Sequence, residues 1–289
     1  MKKNLLAAIV AVTAACLGGA APAAAAPWRW AFTLDGQAVG APMRNVTGVY
    51  VDGQAGRYYV VDAGDNRILS FDREGKFLSL FAAAGGLHRP VAAAKDGQRR
   101  LWILERGRNS LTRVDFAQKK LIPHEIRDRG REVVPDGLQW AEGRFYVLDR
   151  ASGRVLALDG KLAVAARFAG PRPFRAFRVR GDALYALDLP GREVRVFGLD
   201  GRLRRTIALE GGVRRPAGLE VGPSGFLFVL DRHRHDVAVF DTRGRLKYRF
   251  LGEGQARGRL YYPAALVFDP WGRLCVADEG NGRVQVFMR

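Results

Sequence analysis

The chain has 289 residues, 48% of them hydrophobic, enough to bury the core of one large domain or two small ones. The formal net charge of +18, carried mostly by arginine, fits either an anionic partner or an arginine-rich soluble surface. With 35 glycines and 13 prolines the composition favours a turn-rich, all-β chain, and no stretch beyond the first residues is long and apolar enough to span a bilayer.

Lys2 and Lys3 precede an apolar run from Leu5 to Ala15, and small residues follow from Gly18 to Ala26. That order predicts a secretory signal peptide over residues 1–25, cut after Ala23 or Ala25, and a periplasmic or secreted protein. A lipid anchor on Cys16 is the rival reading, although Thr13 stands where such signals have leucine. The exported chain then holds one cysteine, Cys275, in an apolar run, so it is expected to be a core thiol with no internal disulfide.

From Trp28 onward the chain repeats. Six apolar runs each end in an acid: Tyr58 to Asp62, Leu101 to Glu105, Phe145 to Asp149, Leu184 to Asp188, Leu227 to Asp231 and Leu274 to Asp278. Pro90, Pro135, Pro173, Pro216 and Pro263 precede units of about 40 residues, a length typical of propeller and solenoid repeats. A strand with one face in water alternates apolar and polar residues. A strand covered on both faces is apolar throughout. Continuous runs therefore predict sheets stacked between neighbours, as in radially arranged blades. An inner strand precedes each run, for example Ala217 to Val221 or Ala264 to Phe268. A third strand follows it, as at Ile68 to Phe71 and Val237 to Phe240, and an outer one completes it, as at Phe77 to Phe81 and Leu246 to Phe250.

The last unit reaches Arg289 without an outer strand, whereas Trp28 to Leu34 has no unit of its own. Pairing the two closes a ring and removes an exposed edge. The predicted fold is an all-β, six-bladed β-propeller of four-stranded antiparallel blades over residues 28–289.

Val60 to Phe71 (VVDAGDNRILSF) and Val276 to Phe287 (VADEGNGRVQVF) resemble the NHL-repeat family, and Arg154-Val155 and Arg283-Val284 repeat its R-I/V element. The resemblance implies the propeller fold across the exported chain. It is permissive about function, because NHL propellers include binding platforms, sensors, RNA-binding modules and a few enzymes. One such enzyme, a lyase acting on peptidyl-α-hydroxyglycine, carries zinc histidines on its inner strands. The matching positions here are Thr47, Val91, Asp136, Arg175, Ala217 and Ala264, and none is histidine. Lactonase-like propellers use Glu, Asn and Asp facing the channel, a role for which only Asp136 looks placed.

The acid ending each run recurs once per blade, which suits turn hydrogen bonds and pairing with Arg67, Arg154 and Arg283 better than catalysis. His233 and His235 stand near Asp236, a possible zinc set, but Arg232 and Arg234 would repel a cation. Neither a metal nor a cofactor is expected. The loops entering the inner strands and the turns after the runs share one face, and they carry twenty arginines against eight acids. The loops Pro123 to Pro135 and Gly252 to Pro263 are expected to form its rim.

Guanidinium forks suit carboxylate and phosphate. The expected ligand-binding residues are Arg89, Arg106, Arg108, Asp136, Arg175, Arg215, Arg232, His233, Arg234 and Tyr262. The expected function is a non-catalytic, monomeric binding or scaffold module for an anionic glycan, a lipid headgroup or an acidic protein. Nucleic acid is not expected for an exported chain. The alternative is a lyase or lactonase-like hydrolase with Asp136 and Arg175 at the channel mouth.

Overall fold

The computed structural model describes residues 28–37, 40, 42–82 and 86–289. The expected signal peptide and Cys16 lie outside them. Among the described residues there are six four-stranded antiparallel sheets, one per repeat, arranged as a six-bladed propeller. Five blades run in sequence order from inner to outer strand: 46–81, 90–125, 135–168, 174–208 and 216–251. The sixth takes Ala265–Phe268, Leu274–Asp278 and Arg283–Met288 from the C-terminal end and Arg29–Asp35 from the N-terminal end. In that closure Phe32 pairs with Val286, Leu34 with Val284 and Asp35 with Arg283, with one irregularity between Trp30 and Phe32.

The core explains why the runs are continuous. It divides into six apolar clusters, one at each interface between neighbouring blades. In the fifth blade Leu227 and Val229 pack towards the fourth, while Phe228 and Leu230 pack towards the sixth. In the sixth, Leu274 and Val276 face the fifth blade, and Cys275 and Ala277 face the first. Period-two geometry sends successive side chains to opposite faces, and here both faces are buried.

The turns between third and outer strands clasp the preceding blade. Gly244 has φ of 83°, and a Cβ there would lie 1.9 Å from the carbonyl of Ala208 in the fourth blade, so only glycine fits.

The expected rim loop from Pro123 to Pro135 is shorter than the sequence suggests. Pro123 sits inside the outer strand Lys120–Glu125, an edge position that tolerates a residue without an amide hydrogen. What remains is a tight hairpin, Arg127–Asp128 against Arg131–Glu132, anchored by buried Ile126 and Val133 and by Arg167, whose Nε lies 2.9 Å from Asp128. The loop 252–263 is compact too: Leu260 is fully buried and its amide donates to Gly252, while the Gln285 amide group bonds to Gly258 and Arg259.

The candidate ligand site at the channel mouth

Each recurrent acid is buried and ties a blade to its own entry loop. Asp62 accepts the amides of Arg44 and Asn45 as well as Arg67 Nε at 2.9 Å. Asp231 accepts four amides, from Arg214, Arg215, His233 and Arg234. Glu105, Asp149 and Asp278 take the amides of His88, Val134 and Tyr261. In the fourth blade Asp188 takes the amides of Arg192 and Glu193, and the entry loop reaches it through the Arg172 guanidinium at 3.4 Å. Setting these six acids beside the eight on the same face leaves twenty arginines against fourteen carboxylates, a smaller excess than the loops alone suggest.

What distinguishes the face is where the remaining charge converges. The inner strands surround a central channel of about 410 Å³. In five blades the pairing slips at the second inner-strand position, at Thr47, Val91, Asp136, Arg175 and Ala217. A bulge re-aims the side chain it carries. With Ala264 these residues form a ring at the mouth, and all six line the channel. Only Asp136 and Arg175 in that ring are charged, on adjacent blades, and they bond to each other: Arg175 Nη1 lies 3.3 Å from Asp136 Oδ2. Arg106, from the turn of the second blade, donates to the other oxygen, Oδ1.

Arg215 and Arg232 join from the fifth blade and Glu279 from the sixth. Arg232 Nη1 is held by Glu279 at 2.6 Å and by the carbonyls of Tyr262 and Pro263 at 2.9 and 3.2 Å. Its guanidinium stacks over the Tyr262 ring, 5.6 Å from the centroid. Arg215 is exposed and, among the described residues, makes no ion pair. Burial holds the Arg175 guanidinium below its ordinary pKa; Asp136 opposes the shift, while Arg106, Arg215 and Arg232 add to it by repulsion. Two polar atoms in the wall, Arg106 Nε and Asn45 Oδ1, are buried without a hydrogen-bond partner.

The expected ligand residues thus divide. Arg106, Asp136, Arg175, Arg215 and Arg232 meet at the mouth, with Tyr262 against Arg232. Arg89, His233 and Arg234 stand exposed on the same face but outside the channel lining. Arg108 pairs with Glu105 at 3.6 Å and lines a separate groove on the outside of the first two blades, beside Phe81 and Phe116. His235, not His233, is the integrated histidine. It is buried, accepts the Tyr262 amide on Nδ1 at 3.2 Å, and packs on Tyr261 and Tyr262. Among the described residues no three His, Cys, Asp or Glu side chains gather as a metal-binding set.

Further along the channel is a pair the sequence reading passed over. Glu220 is fully buried, 2.8 Å from Arg178 Nε on the neighbouring inner strand. It also accepts the amides of Val221 and Phe268, so one carboxylate joins three blades. Burial pushes its pKa up, against the pull of Arg178. A charged residue amid an apolar inner strand (PAGLEV) is the signal that could have drawn attention to it. Gln139 stitches the third blade to the fourth in the same way, exchanging two 2.8 Å hydrogen bonds with the backbone of Val179.

These features define a class: a closed six-bladed propeller with an arginine-lined channel mouth. The family described as the NHL repeat matches residues 260–287, in the sixth blade. No curated protein matches the chain. Among solved structures, a streptogramin B lyase is similar at 13% identity and a TM-score of 0.67, over 90% of this chain and 97% of that one. A gluconolactonase from Xanthomonas campestris is similar at 20% identity and a TM-score of 0.63, over 92% and 96%. An auxiliary nutrient binding protein from Bacteroides thetaiotaomicron aligns at 13% identity and a TM-score of 0.65, over 85% and 69%. At these identities the likeness is one of fold.

Proposed function

We propose that this chain is an exported propeller of the NHL-repeat family that binds an anionic ligand at the channel mouth without transforming it. The observation that carries the reading is the convergence of Arg106, Arg175, Arg215 and Arg232 on one mouth that holds only two carboxylates, Asp136 and Glu279. Converging charges in a low-dielectric recess reinforce one another and can raise the local potential by several kT. The partner classes that fit are an anionic glycan, a lipid headgroup and an acidic protein. A nutrient-binding protein among the similar folds is consistent with a binding role.

A second reading makes the same mouth the active site of a propeller enzyme. It draws on the charged pair in the ring and on the lyase and gluconolactonase among the similar folds. Against it, both oxygens of Asp136 already accept hydrogen bonds from arginines, which gives the carboxylate a structural task in holding Arg106 and Arg175.

The test is charge reversal on exposed positions that can change without disturbing the core. Arg89, Arg215 and Arg234, changed together to Glu, should sharply lower the salt needed to elute the protein from immobilised heparin. Arg202, Arg243 and Arg245, changed together on the opposite face, should shift elution far less. Attraction is screened beyond about 8–10 Å at physiological ionic strength, so retention should also fall steeply with salt. Equal elution of the two triple variants refutes the reading. Turnover of a lactone or a cyclic depsipeptide, lost in Asp136→Asn, would favour the enzyme instead.

A further inference from the structure

We infer that the ligand of the mouth is a small dianion, a compact dicarboxylate or a phosphate monoester, rather than a polyanionic chain. The inference rests on the anion-binding reading above and narrows it.

Charge balance comes first. Four guanidiniums and two carboxylates leave the mouth two positive charges in excess. Three of the four arginines are recessed, with side-chain exposures of 30% for Arg106, 35% for Arg175 and 27% for Arg232. Unbalanced charge costs more in such a recess than on an open surface. A monoanion leaves one charge uncompensated, and a dianion neutralises the site.

Size points the same way. A channel of about 410 Å³ lies within the small-molecule range of roughly 300–1,000 Å³. A long polymer can spread over Arg89, Arg215 and Arg234 on the surface, whereas the half-buried Arg175 inside the channel favours a compact group or a chain end.

The donors are also held in advance. Asp136 fixes Arg106 and Arg175, and Glu279 with two carbonyls fixes Arg232. Among the described residues each of those guanidiniums keeps N–H groups without a hydrogen-bond partner, Arg106 Nε among them although it is buried. Arg215 alone is free of carboxylate partners, which makes it the arginine that closes on the ligand. Pre-positioned guanidinium forks match the planar carboxylate and the phosphate oxygens, and little side-chain entropy is lost on binding.

Isothermal titration of the exported chain with succinate, glycerol 3-phosphate and butyrate separates the possibilities. Succinate represents the dicarboxylate source and glycerol 3-phosphate the phosphate source; butyrate is the monoanion of similar length. At least one dianion should bind one-to-one and about tenfold or more tighter than butyrate. Arg215→Gln should weaken that binding about tenfold, with Arg215→Lys recovering part of it and Arg202→Gln, on the opposite face, leaving it unchanged. Thermal melts of each variant establish that it is folded. Dianions that bind no tighter than butyrate, a stoichiometry above one, or an Arg215→Gln variant that binds like the parent would each overturn the inference. If dianions fail while heparin retention still depends on the arginine-rich face, the inference falls and the anion-binding reading stands. If both fail, the face is not an anion site.

Discussion

The N-terminal strand should be the weakest bolt in the ring, and two side chains measure its strength. Leu34 is fully buried among Tyr58, Val60, Phe71, Val284 and Val286, at the interface between the sixth and first blades. Trp28 is 8% exposed and packs at the other interface, with ring centroids 5.9 Å from Phe228, 6.0 Å from Phe250 and 5.8 Å from Phe268. Truncating a buried leucine to alanine costs about 2–5 kcal/mol, and truncating a buried tryptophan about 3–5 kcal/mol. The two sites belong to separate clusters, Trp28 just before the strand Arg29–Asp35 and Leu34 near its end, so their costs should add. The sum, about 5–10 kcal/mol, approaches the whole stability of an ordinary domain, about 5–15 kcal/mol. Leu34→Ala and Trp28→Ala should each lower the urea midpoint, and the double variant should be unfolded or aggregated near room temperature. Removing 28–35 altogether should leave Val284, Val286 and Phe287 on an open edge and cause association. A truncated chain that melts cooperatively at the parent temperature, or a double variant losing less than about 2 kcal/mol, would refute the closure argument.

Cys275 should be inert in the folded protein, because it is fully buried and burial pushes its thiol pKa well up. A bulky maleimide should label it only above the urea midpoint, and rapid labelling of native protein would contradict that placement. Glu220 should make stability depend on pH with a definite sign. Its folded-state pKa is raised above the unfolded value, so its favourable contribution is complete below the unfolded pKa and is lost as pH rises through the folded one. The stability of the parent relative to Glu220→Gln should therefore fall as pH rises above the ordinary carboxylate range, measured by urea unfolding. A difference that grows in the parent's favour with rising pH would show that Arg178 outweighs desolvation.

The architecture was legible because its physical cause acts locally. A sheet buried on both faces needs an apolar residue at every position of its second strand, and the six runs show that without reference to anything distant. The closure was legible from one missing strand and one spare. Charge was harder to read. Asp62, Asp231 and their counterparts belong to the strands in sequence but to the arginine-rich face in space, where they neutralise much of what the loops carry. Arg108 and Arg175 look alike as arginines near blade ends, yet one pairs beside an outer groove and the other enters the channel. The difference is place in the blade: Arg108 lies in the turn after Leu101–Glu105, whereas Arg175 sits at the irregularity one residue into an inner strand that lines the axis. Arg178 and Glu220 escaped notice for a related reason, since each sits inside an otherwise ordinary strand and they meet only because neighbouring blades align their inner strands around the axis. Net charge is therefore a weak guide to ligand here. Many of the arginines pair with acids and carbonyls of the scaffold, as Arg67, Arg172, Arg249 and Arg283 do. The proposed binding site rests on the few arginines whose positions on the second, fourth and fifth blades bring them to a single mouth.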